Sequence, residues 1–369
     1  MSRLARAADL LHAVALRAPG ARPRRGLLLT SCGGLGDTIL FAHVADRFAA
    51  LAQDGEPVSI LLRADGAATA FCLPPGIEVL TVDFTRLRGD FGYRLATFRA
   101  LAGRAFRCVI STDFLRHPHL DEALILATGA PELWAMEARP WPKYAGALAA
   151  NARRLTRIEP AGPVHKDKIL RWADFADRLA GATRPPPVAR LPESRLPAAE
   201  TVERPTVVVQ PFSAVAAKQL RPDDWHRLLA AVPDDHAVVV TGGPKDLERH
   251  PAFRSLLEDP RARFDSRRFA DILPLLRAAR LIVSVDTAMM HLAAAVGTPT
   301  LGLASAAYVG EIVPYAPAVT PPNLKVMHAD VDCAGCLGDC SKPLVGGLYD
   351  CLSRLDIPAA AAEIARRLA

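Results

Sequence analysis

The segment LIVSVDTAMMHLAAAVGTPTLGL, Leu281–Leu303, does most to limit what this chain folds into. Leu281–Val285 is short, apolar and rich in Val and Ile, the composition of a strand buried on both faces. Asp286 and Thr287 follow at once, and both are good helix N-caps. Ala288–Val296 holds strong helix formers and no breaker. Gly297 then ends the helix, and Thr298-Pro299 blocks its continuation before a new apolar run, Thr300–Leu303. Strand, helix, strand in this order is a parallel crossover unit. Its polar residues fall where a strand's carboxyl end meets a helix N-terminus, the place where open α/β sheets bind ligands and where phosphates are favoured. Thr287 and His291 are four apart and share a helix face. A plain capped helix with a core histidine would carry the same residues.

The same alternation runs through the chain from Gly26. GLLLTS, VSILLR, Ile77–Val82 and CVIST read as strands in the first half. TILFAHVADRFAALA, Tyr93–Ala102 and Lys166–Ala180 read as helices, with a short one near Ala67–Phe71. In the second half TVVVQPF, AVVVTGG and LIVSV read as strands, and PDDWHRLLAAV, PKDLERHPAFRSLL and FADILPLLRAA as helices. Between the halves, RPPPVARLPESRLPAAETVERP holds six prolines and reads as a linker. At 369 residues, 50% of them hydrophobic, two domains are expected. The fold class is therefore α/β, with two doubly wound, Rossmann-like domains facing across a cleft. The expected boundaries are 1–185 for the first domain, with 1–25 as a basic extension, 186–205 for the linker and 206–352 for the second domain. Residues 353–369 form a C-terminal helix that packs back on the first domain.

Charge narrows the partners. The net charge is +6, and residues 1–25 supply +5 of it through Arg3, Arg6, Arg17, Arg22, Arg24 and Arg25 against Asp9. The nearly neutral remainder argues against a nucleic-acid groove. Leu4, Leu11 and Val14 share one face of a basic amphipathic helix that suits an anionic membrane surface, or that packs on its own domain. No apolar run approaches the ~18–20 residues of a membrane-spanning helix, and no signal peptide is read. The expected location is the cytoplasm, including the inner face of the cytoplasmic membrane.

Three strand ends of the second half carry polar groups: Ser213 with Lys218, Gly242 and Gly243 with Asp246, and Asp286-Thr287 with His291. Hydroxyls, helix amides and one lysine suit a pyrophosphate. There is no G-x-x-x-x-G-K-[ST] loop and no G-x-G-x-x-G after a strand, so neither a Walker-type nucleotide site nor a nicotinamide site is expected. In the first half, SCGGLGDTIL sets Gly33, Gly34 and Gly36 between strand and helix and Asp37 at the helix start. Capping alone accounts for an aspartate there. Past the fourth strand, Arg116, His117 and His119 stand where an anionic acceptor would meet them, or simply form a polar loop. Cys333, Cys336, Cys340 and Cys351 are spaced C-x2-C-x3-C-x10-C. They suit a closed, structural tetrathiolate site for Zn or Fe, with a redox cluster or two disulfides as alternatives. Cys32, Cys72 and Cys108 read as structural thiols.

These residues carry a resemblance. SVDTAMMHLAAAVGTPTLGL is similar to the D-T-G-x-x-H-x-A-A-x-x-x-x-P signature of glycosyltransferase family 9, the ADP-heptose:lipopolysaccharide heptosyltransferases. GGLGDTIL resembles that family's N-terminal G-D motif, and CLSRLDIPAAAAEIARRL its final helix. The resemblance implies a two-domain GT-B fold and an inverting transferase without a catalytic metal. The implied donor is a nucleotide sugar, ADP-heptose or a relative, and the acceptor a lipopolysaccharide, another glycan, a lipid-linked glycan or a protein. It implies Asp37 as general base and Ser213, Lys218, Gly243, Asp246, Asp286, Thr287, Ala288 and His291 as the donor site. Gly36, Arg116 and His117 fall on the acceptor side. Ala288 replaces the motif's usual glycine, His43 stands where proline is common, and KQLRPDDW only approximates K-x-W-P. These departures bear on the identity of the donor sugar. An epimerase or hydrolase of the same fold, or a non-catalytic nucleotide-sugar-binding protein, are the alternatives. A binder has no need of a carboxylate at Asp37.

Overall fold

The computed structural model describes residues 23–369. The proposed N-terminal helix, with Arg3, Arg6, Arg17, Arg22, Leu4, Leu11 and Val14, lies outside the described residues. The chain divides into two compact units. One ends at Val164 and takes up the chain again over Ile169–Pro186; the other comprises His165–Lys168 and Pro187–Ala369.

In the first unit the strands are β1 (Leu27–Ser31), β2 (Val58–Arg63), β3 (Ile77–Val82), β4 (Cys108–Ser111), β5 (Glu132–Met136) and β6 (Arg157–Glu159). They form one sheet in the order β3-β2-β1-β4-β5-β6, with every pair parallel. The second unit has β7 (Thr206–Gln210), β8 (Ala237–Thr241), β9 (Ala262–Asp265), β10 (Leu281–Val285), β11 (Thr300–Leu303) and β12 (Leu324–Met327). Their order is β12-β11-β10-β7-β8-β9, again all parallel. Each sheet reverses its winding once, between β1 and β4 and between β7 and β10. These are topological switch points, where the two connections leave to opposite sides and open a crevice. β1, β7 and β10 flank them and are buried along their whole length, which is why they read as unbroken apolar runs.

Three edge strands, β6, β9 and β12, and the interior strand β5 beside β6 did not stand out in the sequence. ELWAM, RIE, ARFD and LKVM are short and carry charge, and for the last three this is usual at a sheet edge. TILFAHVADRFAALA forms two helices, Leu35–Phe41 and Ala45–Ala49, although no glycine or proline marks the break. The opening segment folds as expected, with a helix over Ala288–Val296 and Gly297 closing it at φ 88°.

Two segments near the expected boundaries have defined packing in the second unit. The C-terminal helix, Ile357–Leu368, packs within the second unit. Its Ile357, Ala360 and Ile364 join Trp225, Val240 and Leu301 in the second unit's core, because its apolar stripe matches the helix Pro222–Leu229 and that sheet. Glu363, buried beneath it, pairs with Arg366, Arg367 and Lys325 of the same unit. The proline-rich stretch is anchored to the second unit beyond Pro186. Ala189 and Leu191 are buried, and their N–H groups donate to Val319 O (2.9 Å) and Ala295 O (2.8 Å). No helix among the described residues is long and apolar enough to cross a membrane.

Candidate functional site

The switch point of the second unit gathers residues far apart in sequence. Ser213 and Lys218 leave the end of β7, and Asp286, Thr287 and His291 leave the end of the adjacent β10. Lys218 Nζ donates to Asp286 Oδ2 at 2.6 Å, and both side chains are largely buried. The ammonium also lies 5.0 Å from the centre of the Tyr308 ring, a cation–π distance. Asp286 Oδ1 is 3.9 Å from His291 Nε2. On its far side His291 Nδ1 meets the Tyr315 hydroxyl at 2.6 Å, with the two rings stacked. Burial, with Asp167 and Asp286 nearby, pushes the Tyr315 phenol well up, so it stays protonated. A row of groups thus runs Tyr308, Lys218, Asp286, His291, Tyr315.

Thr287 occupies the N-cap position, but its side chain does not cap. Its Oγ1 turns to Val285 O and Ser284 Oγ, each at 3.3 Å. Among the described residues no side-chain cap meets the first amides of the helix beginning at Ala288, which stand beside a lysine, and that is how helix N-termini hold anions. Ser213 is half-buried and its Oγ accepts only a long bond from Val215 N (3.3 Å). At the end of β8, Gly243 N donates to Asp246 Oδ2 at 2.6 Å, so Asp246 folds the turn back on itself. A side chain at Gly242 would strike Phe212, its Cβ falling 2.6 Å from the ring.

In the first unit the residues after β1 and β4 are acidic. Asp37 Oδ2 accepts from Gly34 N at 2.7 Å, the reciprocal bond of a helix start. Gly33 is required for this, since a Cβ there would sit 2.3 Å from the Asp37 side chain. Asp37 remains half-exposed, and Gly36 beside it lies in the first turn. Asp113 Oδ2 accepts from Cys32 N at 2.7 Å, and Asp121 Oδ2 from His117 N at 2.6 Å. Burial first, and Asp113 second, raise the Asp121 carboxyl to about 7. Burial and the same carboxylates push the Cys32 thiol up. Cys32, Asp113 and Asp121 bring ligand-type atoms within 4.8 Å of one another.

Arg116 is not available to an acceptor. Its guanidinium is buried on Glu122 (3.1 Å), Asp113 O (3.1 Å) and Met136 O (2.8 Å). His117 sits instead in a ring cluster with His119, Trp141 and Tyr144, its Nε2 3.1 Å from the Tyr144 hydroxyl. Burial, with His119, Arg88 and Lys143 adding to it, lowers His117 to about 4. It is therefore neutral near pH 7 and does not offer a charge to an anion.

The four clustered cysteines converge. Cys333, Cys336, Cys340 and Cys351 line one cavity with Ala307, Gly338, Tyr349 and Asp350. Burial raises the Cys351 thiol, and the other three sulfurs raise it further. Left-handed residues Gly335, Leu337 and Gly338 (φ 79°, 56° and 89°) coil the loop tightly. The thiols are not in the group that closes within 4.8 Å.

Sequence reasoning missed Tyr308, Tyr315 and Asp167. Tyr308 ends a single 3-10 turn, Ala306–Tyr308, and Tyr315 lies in an irregular segment, so neither falls in a periodic pattern that would mark it. Asp167, which accepts from Ala316 N at 2.8 Å, belongs to the second unit although the chain on both sides of it belongs to the first.

Residues 163–332 match the family model of glycosyltransferase family 9 (heptosyltransferase). No curated protein sequence matches the chain. Among solved structures the fold is similar to E. coli ADP-heptose lps heptosyltransferase II, with a TM-score of 0.64 and 15% identity over 93% of this chain and 98% of that one. It is similar to E. coli heptosyltransferase WaaC with ADP, with a TM-score of 0.65 and 17% identity over 93% of this chain and 99% of that one. It is also similar to the iron-containing dodecameric glycosyltransferase TibC from enterotoxigenic E. coli H10407, with a TM-score of 0.51 and 15% identity over 94% and 78%. At such identities the likeness is one of fold: the two parallel six-stranded units are those of GT-B heptosyltransferase structures.

Proposed function

We propose that this chain is a heptosyltransferase-like glycosyltransferase of family 9, the family whose model residues 163–332 match, and that it moves heptose or a related sugar from an ADP-activated donor to a glycan acceptor. Transfer inverts the anomeric centre and needs no catalytic metal. The observation that carries this reading is the Lys218–Asp286–His291 row beside the uncapped helix start at Ala288.

Breaking the bond from sugar to diphosphate leaves negative charge on the departing phosphate. Lys218, the Thr287 and Ser213 hydroxyls and the first amides of the helix at Ala288 receive that charge, the role a metal ion plays elsewhere. Asp286 holds the lysine in place until the diphosphate competes for it. His291, braced by Tyr315, keeps Asp286 oriented. Gly243 and Asp246 shape the neighbouring turn, and the nucleobase lies near Ser266–Phe269. Asp37 takes the proton from the attacking acceptor hydroxyl, with Gly36 and the ring cluster around His117 on the acceptor side. The binding of ADP by the E. coli structure of like fold supports the choice of nucleotide.

The four cysteines hold one structural Zn or Fe ion in this reading. Four thiols around one cavity fit the donor set of a closed site, and the iron content of TibC supports it. The ion would supply a cross-link rather than reactivity. Elemental analysis of protein purified without chelator should find one ion per chain. Absence of metal together with absence of titratable thiols in this loop would make disulfides the correct reading. For the transfer itself, incubation with ADP-heptose alone should release ADP slowly as water replaces the acceptor. No release under any condition, with tight ADP binding, would make the protein a binder.

A further inference from the structure

The cysteine loop is built onto both segments that frame the Lys218 ammonium. Gly335 N donates to Ala306 O at 2.8 Å and Leu337 N to Ala307 O at 2.7 Å. These are the two residues before Tyr308, whose ring faces the ammonium. Gly338 abuts the same tyrosine, and a Cβ on it would lie 3.1 Å from the Tyr308 hydroxyl oxygen. On the other side, Tyr349 N donates to Ala217 O at 3.0 Å. Ala217 precedes Lys218, and Tyr349 stands two residues before Cys351. Gly335, Leu337 and Gly338 lie between cysteines of the cluster. The ring over the ammonium and the backbone under it are thus both tied to the segment that the four thiols close. Ala307 lines the thiol cavity as well, so one wall serves both sites.

We propose that the four-cysteine loop positions the donor-site lysine: closure of the thiols fixes Tyr308 and Ala217, and through them the Lys218 ammonium. Donor affinity then depends on the state of the cysteines, although none of them touches the donor. Tyr308 is a positioning residue, acting through Lys218 with its ring face rather than its hydroxyl. The proposal rests on the donor-site reading of Lys218.

Calorimetry with ADP on four proteins tests it: wild type, Cys340→Ser, Lys218→Ala and the double variant, each with its melting temperature. Cys340→Ser should weaken ADP binding about 3- to 10-fold, the scale of a lost cation–π contact. In the Lys218→Ala background the same change should add nothing, since the lysine it acts through is gone. An equal further loss in both backgrounds, or no loss from Cys340→Ser in either, overturns the proposal. If Lys218→Ala itself binds ADP like wild type, the donor-site reading has failed, and the proposal falls with it. If Cys340→Ser does not fold, the tyrosine decides. Tyr308→Phe keeps the ring and should keep wild-type affinity, whereas Tyr308→Leu should show the 3- to 10-fold loss. Equal affinity in the two tyrosine variants counts against the proposal.

Discussion

The two units wind their sheets in the same order and differ in what stands at the point where the winding reverses. Around β1 and β4 the polar groups are carboxyls, each accepting from a backbone amide: Asp37 from Gly34, Asp113 from Cys32, Asp121 from His117. Around β7 and β10 the central group is a cation, Lys218, held by one carboxylate and flanked by a histidine and two tyrosines. Topology fixes the address of a site, and the residues after each strand fix its chemistry. An acid-rich crevice suits taking up a proton, and a cation beside an open helix start suits a leaving diphosphate.

Four measurements break or sharpen that contrast. The largest effect belongs to Asp37→Asn. Asn keeps the size and still accepts from Gly34 N, but it cannot take a proton. Turnover should fall roughly 10²–10⁴-fold with ADP affinity and melting temperature unchanged. Near-normal turnover would reduce Asp37 to a capping residue, and His43 would be the next first-unit group to test.

Next is Ile364→Ala, in the C-terminal helix. A buried Ile→Ala change costs about 2–5 kcal/mol. Hydrogen exchange should quicken at β7 and β10 and stay slow at β1 and β4. Faster exchange in the first unit would contradict the assignment of this helix to the second core.

Lys218→Ala should then weaken ADP binding by about 1.5–3 kcal/mol, the loss of a charge-assisted hydrogen bond. The same change leaves Asp286 buried without its cation, so the melting temperature should drop too. Calorimetry showing unchanged ADP affinity would remove the diphosphate from this switch point.

Last is a pH slope. Asp121 is raised from 3.8 to about 7 in the folded protein. Between these values the folded state holds a proton that the unfolded state has lost. Stability therefore falls as pH rises from about 4 to about 7, at no more than about 1.4 kcal/mol per pH unit for one proton. Asp121→Asn preserves the bond from His117 N and should flatten the decline. A wild-type slope in that variant would show that a group other than Asp121 causes the decline.

The sequence by itself determined the βα alternation, the helix at Ala288–Val296 and the strands at both switch points, because strands buried on both faces must be apolar throughout. It also placed Lys218, Asp286 and His291 at strand ends. It did not show that Lys218 and Asp286 touch. That contact follows from β7 and β10 being neighbours, a pairing set by the order of the sheet and by no local signal. The edge strands β6, β9 and β12 escaped because partial exposure admits charge and removes the apolar run. The C-terminal helix was legible as a helix, but its partner was not, since an amphipathic stripe says only that some apolar face will cover it. Arg116 looked like a surface cation in sequence. Burial against Glu122 and two carbonyls made it part of the framework, and only tertiary structure decides whether a charge meets solvent or a partner.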